Sequence, residues 1–155
     1  MPVSTPATKA LDRLSIPYHI FEHDHSPESL EQAAGERGQA PDQVVRSILF
    51  RFDKDKFFLV LVAGPGQISW RKLRLHLGVS RISMATEDEV LAVTGYAVGT
   101  VSPLGLPLPL QILADVSVFK PVEISLGSGV WRVAIIMKSA DLLRALGKIE
   151  TEQFC

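Results

Sequence analysis

Cysteine is almost absent from this sequence, since Cys155 is the only one among 155 residues. One cysteine cannot form an internal disulfide bond, so the sequence excludes a disulfide-stabilised scaffold and is typical of a reducing, cytoplasmic compartment. Because chain termini tend to fray, we also expect Cys155 not to serve as a catalytic nucleophile.

Long apolar runs and an excess of basic charge are lacking as well. No stretch of the sequence approaches the roughly 20 apolar residues that a transmembrane helix needs, so we expect no membrane span. The first residues carry neither a basic start nor an apolar run, and no signal peptide is predicted. The formal net charge of −1 argues against a protein that binds nucleic acid over its whole surface, but it allows a local basic patch.

Apolar residues, by contrast, are plentiful. The composition is 46% hydrophobic and 21% charged, which is typical of a globular protein rather than a disordered one. The length predicts a single domain over residues 1–155. Helical and strand patterns are interspersed and include at least two hairpins. We therefore predict the α+β class, with a mixed, mainly antiparallel sheet.

Proline, glycine and capping residues mark the predicted elements. Thr5 and Pro6 begin a helix that ends near Leu14, and a second helix is expected over 27–36. The charged turn 53–56 separates strands at 44–52 and 57–63. The other predicted elements are helices at 70–77, 86–93 and 139–146, capped by Ser69, Thr86 and Ser139, and strands at 18–23, 110–113, 122–126 and 130–137.

The segment 95–105, GYAVGTVSPLG, combines three glycines and a Ser-Pro pair with apolar side chains. Gly costs about 1 kcal/mol and Pro about 3 kcal/mol in a helix interior, and Pro removes a donor from a strand ladder, so neither element is expected. An apolar, glycine-rich loop indicates that backbone closely approaches another segment or a ligand. It is either a tight crossover inside the core or a backbone-lined pocket with Ser102 at its rim.

This segment resembles the G-Y-x-x-G-x-x-S-P-x-G signature of the YbaK and prolyl-tRNA-synthetase-associated family of aminoacyl-tRNA deacylases. Weaker landmarks follow in the family's order, and the resemblance covers roughly residues 5–146. It implies a sheet curled into a partial barrel with flanking helices. It also implies trans-editing, the hydrolysis of the ester that joins a wrong amino acid to tRNA. Cysteine, alanine and proline-like amino acids are the family's alternatives.

The same resemblance implies partners and site residues. Aminoacyl-tRNA is the expected partner, an aminoacyl-tRNA synthetase is a second candidate, and no cofactor is expected. The implied catalytic residues are Arg46, Gly99 and Ser102. The implied substrate-binding residues are His23, Tyr96, Val98, Thr100, Val101, Pro103, Asp115, Gly127, Ser128 and Gly129. Residues 127–129 also fit an ordinary hairpin turn.

Arg46 stands where the family typically has a functional Lys. It lies in an otherwise apolar strand, either as an edge residue that faces solvent or as a cation at the floor of a pocket. A guanidinium effectively never loses its proton, so Arg46 cannot act as a general base. It can still bind a phosphate or stabilise an oxyanion. The replacement keeps open an alternative, a non-catalytic module that binds aminoacyl-tRNA or another small ligand.

Two further groups of basic residues have alternative interpretations. His19, His23 and His25 could share one strand face, which suggests zinc. However, His19 and His23 would be about 13 Å apart on an extended strand, so no metal site is expected. A basic helix and its flank either bind tRNA phosphates or form a solvated surface. Its cations are Arg71, Lys72, Arg74 and Arg81.

Overall fold

A computed structural model describes residues 3–155, so Met1 and Pro2, on which the expectation of no signal peptide partly rests, lie outside it. The α-helices are α1 (Pro6–Arg13), α2 (Leu30–Glu36), α3 (Trp70–Leu77), α4 (Glu87–Thr94) and α5 (Ser139–Leu146), with short 3-10 helices at Pro41–Gln43 and Val116–Phe119. None of the helices in this part of the chain has the length and apolar character needed to cross a membrane.

The strands are short and form two sheets. They are β1 (His19–Glu22), β2 (Val45–Phe52), β3 (Lys56–Ala63), β4 (Ser83–Met84), β5 (Gln111–Asp115), β6 (Glu123–Gly127), β7 (Val133–Lys138) and β8 (Glu150–Glu152). One sheet has the order β1-β7-β6 and the other β4-β2-β3-β5-β8.

Most neighbouring strands are antiparallel, but the larger sheet is mixed. β7 pairs antiparallel with β1 and β6, and β2 pairs antiparallel with β3 and β4. The β3–β5 and β5–β8 pairs are parallel. A parallel bridge between Val44 and Ser125 links the two sheets, which within residues 3–155 do not close into a complete barrel. The predicted α+β class with a mixed, mainly antiparallel sheet is confirmed.

Strand β3 occupies the middle of the larger sheet, and its residues 58–63 are buried. Leu59 and Leu61 belong to the main core, together with residues of β6, β7 and α5. Phe58 and Val60 point to the other face and pack in a second core with Leu73 of α3. A strand covered on both faces is a continuous apolar run, and this is the pattern that the sequence shows at this position.

Several predicted boundaries are confirmed at their caps, where the interactions are local. Thr5 caps α1 and Thr86 caps α4, each within a capping box that satisfies free backbone donors. The predicted hairpin between β2 and β3 is present, and Asp53 in its turn adopts a left-handed φ of 55°.

Other predicted boundaries are wrong. Helix α2 begins at Leu30 rather than at residue 27, because Ser29 is its cap and accepts a hydrogen bond from the Gln32 N–H. Ser139 is the first residue of α5 rather than its cap, since its hydroxyl donates to the Pro121 carbonyl. Strand β7 begins three residues late, after Arg132, which has a φ of 64°. Strands β4 and β8 were not predicted.

Candidate functional site

A cavity of about 500 Å³ lies beside the junction of the two sheets, a volume suited to a small ligand. Two of its walls differ in kind. The first, called here the cationic wall, is formed by His23, Arg37, Arg46 and Arg132. The second, called here the glycine wall, is formed by Gly99, Val101 and Gly127. The fold thus brings the predicted Arg46 and the predicted glycine loop to the same cavity.

Arg46 is half-buried on β2 and is held at the edge of the cavity by backbone carbonyls. Its Nε donates to the Gly64 carbonyl at 3.0 Å, and its Nη2 donates to the Gly66 carbonyl. The segment after β3 therefore fixes the plane of the guanidinium. Within residues 3–155 no protein acceptor contacts Nη1.

His23 is buried at the end of β1 and hydrogen-bonded through both ring nitrogens. Its Nδ1 lies 2.6 Å from Glu36 Oε1, and its Nε2 lies 3.0 Å from Arg37 Nε. A guanidinium nitrogen can only donate, so Nε2 must accept and the ring proton lies on Nδ1. The hydrogen bond from His23 lowers the pKa of the Glu36 carboxyl below its usual value.

Arg37, like Arg132, is a cavity cation that sequence reasoning missed. It is the C-cap of α2, lines the cavity and donates through Nη1 to Ser125 Oγ at 2.9 Å. Burial lowers the pKa of its guanidinium from the usual value. A basic residue at a helix C-terminus is expected for electrostatic reasons alone, so Arg37 gave no distinct signal. Its partner Ser125 lies 88 positions away in the sequence.

The remaining histidines considered for zinc lie apart from this network. His19 and His25 are exposed, in contrast to the buried His23. Within residues 3–155 no three histidine, cysteine, aspartate or glutamate side chains lie close enough together to hold a metal ion.

The glycine wall is shaped by close backbone contacts. A Cβ on Gly127 would lie 2.3 Å from the Val101 carbonyl oxygen, so the loop packs directly on the end of β6. Gly99 has a φ of +91°, and a Cβ there would lie 2.9 Å from the Trp131 ring. The two interpretations of the loop therefore both apply, because the loop is a tight crossover that also lines a cavity.

Ser102 does not lie at the rim of the cavity, and that prediction is wrong. The residue is fully buried, and its Oγ accepts a hydrogen bond from the Leu104 N–H at 3.2 Å. Tyr96 is also buried, and its hydroxyl donates to the Leu104 carbonyl at 2.6 Å. Burial raises the pKa of Tyr96 to about 12. Both side chains hold the loop from inside, away from the cavity.

Three further predicted positions in or beside the loop lie off the cavity lining. Val98 is exposed, and Thr100 is buried with its hydroxyl donating to the Ala97 carbonyl. Pro103 lines a separate depression beside α1. Of the loop residues predicted to bind substrate, the structure therefore brings only Val101 to the cavity.

Asp115 also lies outside the cavity lining and is bound to the C-terminal segment. Its Oδ1 accepts from the backbone N–H groups of Phe154 and Cys155, and its Oδ2 accepts from the Ser117 N–H. Burial alone would raise the pKa of Asp115, but these hydrogen bonds outweigh it and lower the pKa. In the structure this carboxylate therefore holds the C-terminal segment against the end of β5.

The three residues of the predicted turn 127–129 make different contacts. Gly127 ends β6 and lines the cavity, whereas Ser128 and Gly129 do not. Ser128 Oγ donates to the Val133 carbonyl at 2.8 Å, and the Gly129 N–H donates to the Thr100 carbonyl at 2.9 Å. Ser128 and Gly129 therefore join the turn to β7 and to the glycine loop.

The basic residues considered for tRNA binding lie outside the cavity. Arg71 and Lys72 of α3 are exposed, Arg74 is half-buried, and Arg81 lines a separate depression. Lys72 Nζ donates to the Cys155 carbonyl at 2.8 Å. A smaller cavity of about 280 Å³ is lined by Trp70 together with Arg46, so the start of α3 is adjacent to the candidate site.

Comparisons with known proteins agree with the resemblance in the sequence. The sequence profile of the aminoacyl-tRNA editing domain matches residues 25–145. The chain is 31% identical over 106 residues to the proline–tRNA ligase of Trichlorobacter lovleyi, a match that covers 67% of this chain and 18% of that protein. It is 33% identical over 98 residues to the uncharacterised protein YwhH of Bacillus subtilis, covering 63% and 62%.

The chain thus spans less than a fifth of the ligase and about three fifths of YwhH. A crystal structure described as that of a candidate trans-editing enzyme for prolyl tRNA synthetase superposes with a TM-score of 0.86. It has 26% sequence identity, and 98% of each chain is covered. The profile match includes most of the cavity lining. The resemblance to YbaK and prolyl-tRNA-synthetase-associated proteins is therefore confirmed, and the chain belongs to the aminoacyl-tRNA editing domain family.

Proposed function

We propose that this protein hydrolyses the ester bond of mischarged aminoacyl-tRNA in trans, as a single cytoplasmic domain. The observation that carries the proposal is the shared cavity, which is lined by a backbone-built wall and by an arginine that has a donor without a protein partner. Membership of the editing family supports the same reaction. Aminoacyl-tRNA is the proposed partner. The similarity to proline–tRNA ligases supports a tRNA aminoacylated by such an enzyme.

Ester hydrolysis by water needs donors for the developing oxyanion and a pocket that orients the acyl group. In the proposed mechanism Arg46 Nη1 donates to the oxyanion, and the backbone at Gly99 supplies a further donor. Val101 and Gly127 form the surface against which the amino-acid side chain packs. The Val101 carbonyl lies where a Cβ of Gly127 would be, so backbone atoms shape this part of the wall.

The proton from the attacking water must go to a group other than these residues. Arg46 keeps its proton at all accessible pH values. His23 Nε2 already accepts from Arg37, and His23 Nδ1 carries the proton bound to Glu36. In the proposed mechanism the ribose hydroxyl beside the ester accepts this proton and passes its own proton to the departing ribose oxygen. The acyl–oxygen bond breaks, and the products are the free amino acid and the deacylated tRNA, without a protein base.

The remaining predicted residues support the site from outside it. Tyr96, Thr100 and Ser102 hold the loop through hydrogen bonds inside the core. We propose that α3 binds the tRNA backbone, since Arg71 and Lys72 are exposed and the first residue of the helix, Trp70, lines a depression that Arg46 also lines.

The test is an ester-hydrolysis assay with a panel of tRNAs charged with cysteine, alanine, proline or serine. Wild type, Arg46→Lys and the control Arg144→Lys, whose side chain is exposed and paired with Asp141, are compared. We expect the wild type and the control to deacylate at least one tRNA, and Arg46→Lys to keep part of this activity. If both wild type and Arg46→Lys bind tRNA without turnover, the protein is a binding module and the proposed function is wrong.

A further inference from the structure

The charges on the cavity lining all have one sign. Arg37, Arg46 and Arg132 are the charged side chains there, and no aspartate or glutamate belongs to the lining. His23 Nε2 is occupied as the acceptor of the hydrogen bond from Arg37 Nε. Glu36 binds the far nitrogen of His23 and lies outside the lining. A partly enclosed surface of this kind favours an anionic group, since guanidinium pairs well with planar and tetrahedral oxyanions.

Arg37 is the most rigidly held of these cations by side-chain contacts. Its Nε donates to His23 Nε2 and its Nη1 donates to Ser125 Oγ. Within residues 3–155 its Nη2 has no protein acceptor. Within residues 3–155 two fully buried side-chain atoms lack a hydrogen-bond partner, and they are Gln39 Oε1 and Ser47 Oγ. Arg37 Nη2 is not one of them, so this nitrogen retains access to solvent. A guanidinium already fixed at two nitrogens loses little conformational freedom when the third binds a ligand.

The His23–Glu36 pair determines the direction of this guanidinium. Glu36 accepts from Nδ1 and keeps the ring proton there, which leaves Nε2 as an acceptor for Arg37. His23 is also packed edge-on against Phe21, with ring centroids 4.8 Å apart. The ring therefore has one orientation and one tautomer, and Arg37 has one preferred position. His23 is a positioning residue that acts through Arg37.

We infer that Arg37 is an anion-binding residue of the cavity, positioned by His23, and that it binds an oxyanion of the substrate other than the reacting ester. This inference rests on the proposed function. An aminoacyl-tRNA offers two sources of such an oxyanion. One is the phosphate on the 5′ side of the terminal adenosine, and the other is a side-chain carboxylate of the attached amino acid.

The first arm of the test measures binding of adenosine 5′-monophosphate and of adenosine by calorimetry. The proteins are the full chain, Arg37→Gln, Arg37→Lys and the control Arg144→Gln. If the phosphate is the source, wild type and control should bind the monophosphate at least about tenfold more tightly than adenosine. This factor corresponds to the lower end of the free energies found for hydrogen bonds to charged groups. Arg37→Gln should lose this preference, and Arg37→Lys should keep part of it.

The second arm uses adenosine analogues that carry aspartate or asparagine through a stable 3′-amide. If the carboxylate is the source, the wild type should prefer the aspartyl analogue by a similar factor, and Arg37→Gln should lose that preference. The inference would be overturned if the wild type showed neither preference, or if Arg37→Gln kept the preference that the wild type shows. Melting curves verify folding, and Arg37→Lys serves in both arms should Arg37→Gln fail to fold.

The role of His23 is tested by rescue. His23→Phe keeps a ring but removes the acceptor for Arg37, whereas His23→Gln keeps an acceptor. The oxyanion preference should fall in His23→Phe and be partly restored in His23→Gln. An unchanged preference in His23→Phe would overturn the positioning role. The binding measurements do not depend on turnover. A protein that shows the oxyanion preference but no deacylation would contradict only the proposed function. A protein that deacylates tRNA but lacks the oxyanion preference would contradict only this inference.

Discussion

The cationic wall and the glycine wall of the cavity are built in opposite ways. On the cationic wall, side chains that follow β1, lie on β2, end α2 and precede β7 carry the chemistry. Hydrogen bonds hold Arg37 and Arg46 in place. On the glycine wall, backbone packs on backbone so closely that no side chain fits at Gly127. Charge and shape are therefore supplied by different parts of the chain, and substitutions on the two walls should have separable effects.

Removing the charge of Arg46 should have the largest effect on activity. In Arg46→Ala we expect the rate of single-turnover deacylation to fall roughly 10²–10³-fold, as when one oxyanion donor is deleted. Arg46→Lys should fall less, since a cation remains without the planar fork. The ratio of the Arg46→Ala rate to the wild-type rate should be the same across the pH range, because the guanidinium of the wild type stays protonated throughout.

Melting temperatures of the same variants separate an effect on the deacylation rate from an effect on stability. Arg46 also holds the carbonyls of Gly64 and Gly66, so a modest loss of stability is compatible with the proposal. An unchanged rate in Arg46→Ala, in a preparation where the wild type is active, would show that Arg46 is not the family cation in another form.

A methyl group on the glycine wall should affect the fold first. In Gly127→Ala the new Cβ meets the Val101 carbonyl, and we expect the free energy of unfolding to fall by about 1–3 kcal/mol. The matched control is Gly35→Ala within α2, where nothing lies within 4 Å of the added Cβ. That change should raise the free energy of unfolding by about 1 kcal/mol, the helix propensity difference.

Urea unfolding of both variants provides the measurement. If Gly127→Ala were as stable as the wild type, the close contact between the loop and β6 would not be required, and the two walls would differ less than the structure indicates.

The smallest effect is expected on α3, which belongs to neither wall. If Arg71, Lys72 and Arg74 contact phosphates, each alanine substitution should lower the slope of log affinity against log salt by roughly one unit. Turnover of bound substrate should be nearly unchanged, in contrast to Arg46→Ala. The exposed Lys148→Ala serves as the control. A triple variant with the wild-type slope would mean that this helix face is only solvated.

Much of the fold and part of the site were predictable, because the signals were local. The caps at Thr5 and Thr86 act within three residues, and the β2–β3 hairpin follows from two apolar runs around a polar turn. The strands β4 and β8 were not predictable, since they are short and pair only because a longer strand lies beside them. The predicted start of α2 at residue 27 was wrong because the cap of the helix is Ser29, two residues further along the chain.

The α+β class, the glycine loop with its family signature and the cation Arg46 could all be recognised in the amino-acid sequence. These depend on periodicity, on backbone conformations that favour glycine, and on residue type. Packing between distant segments buries Ser102 in the core and brings Arg37 to the cavity lining, and neither outcome follows from a local pattern. Arg37 owes its position to His23, which precedes it by 14 residues, and to Ser125, which follows it by 88. Contacts of this range form only when separate strands and helices meet, so no local pattern encodes them.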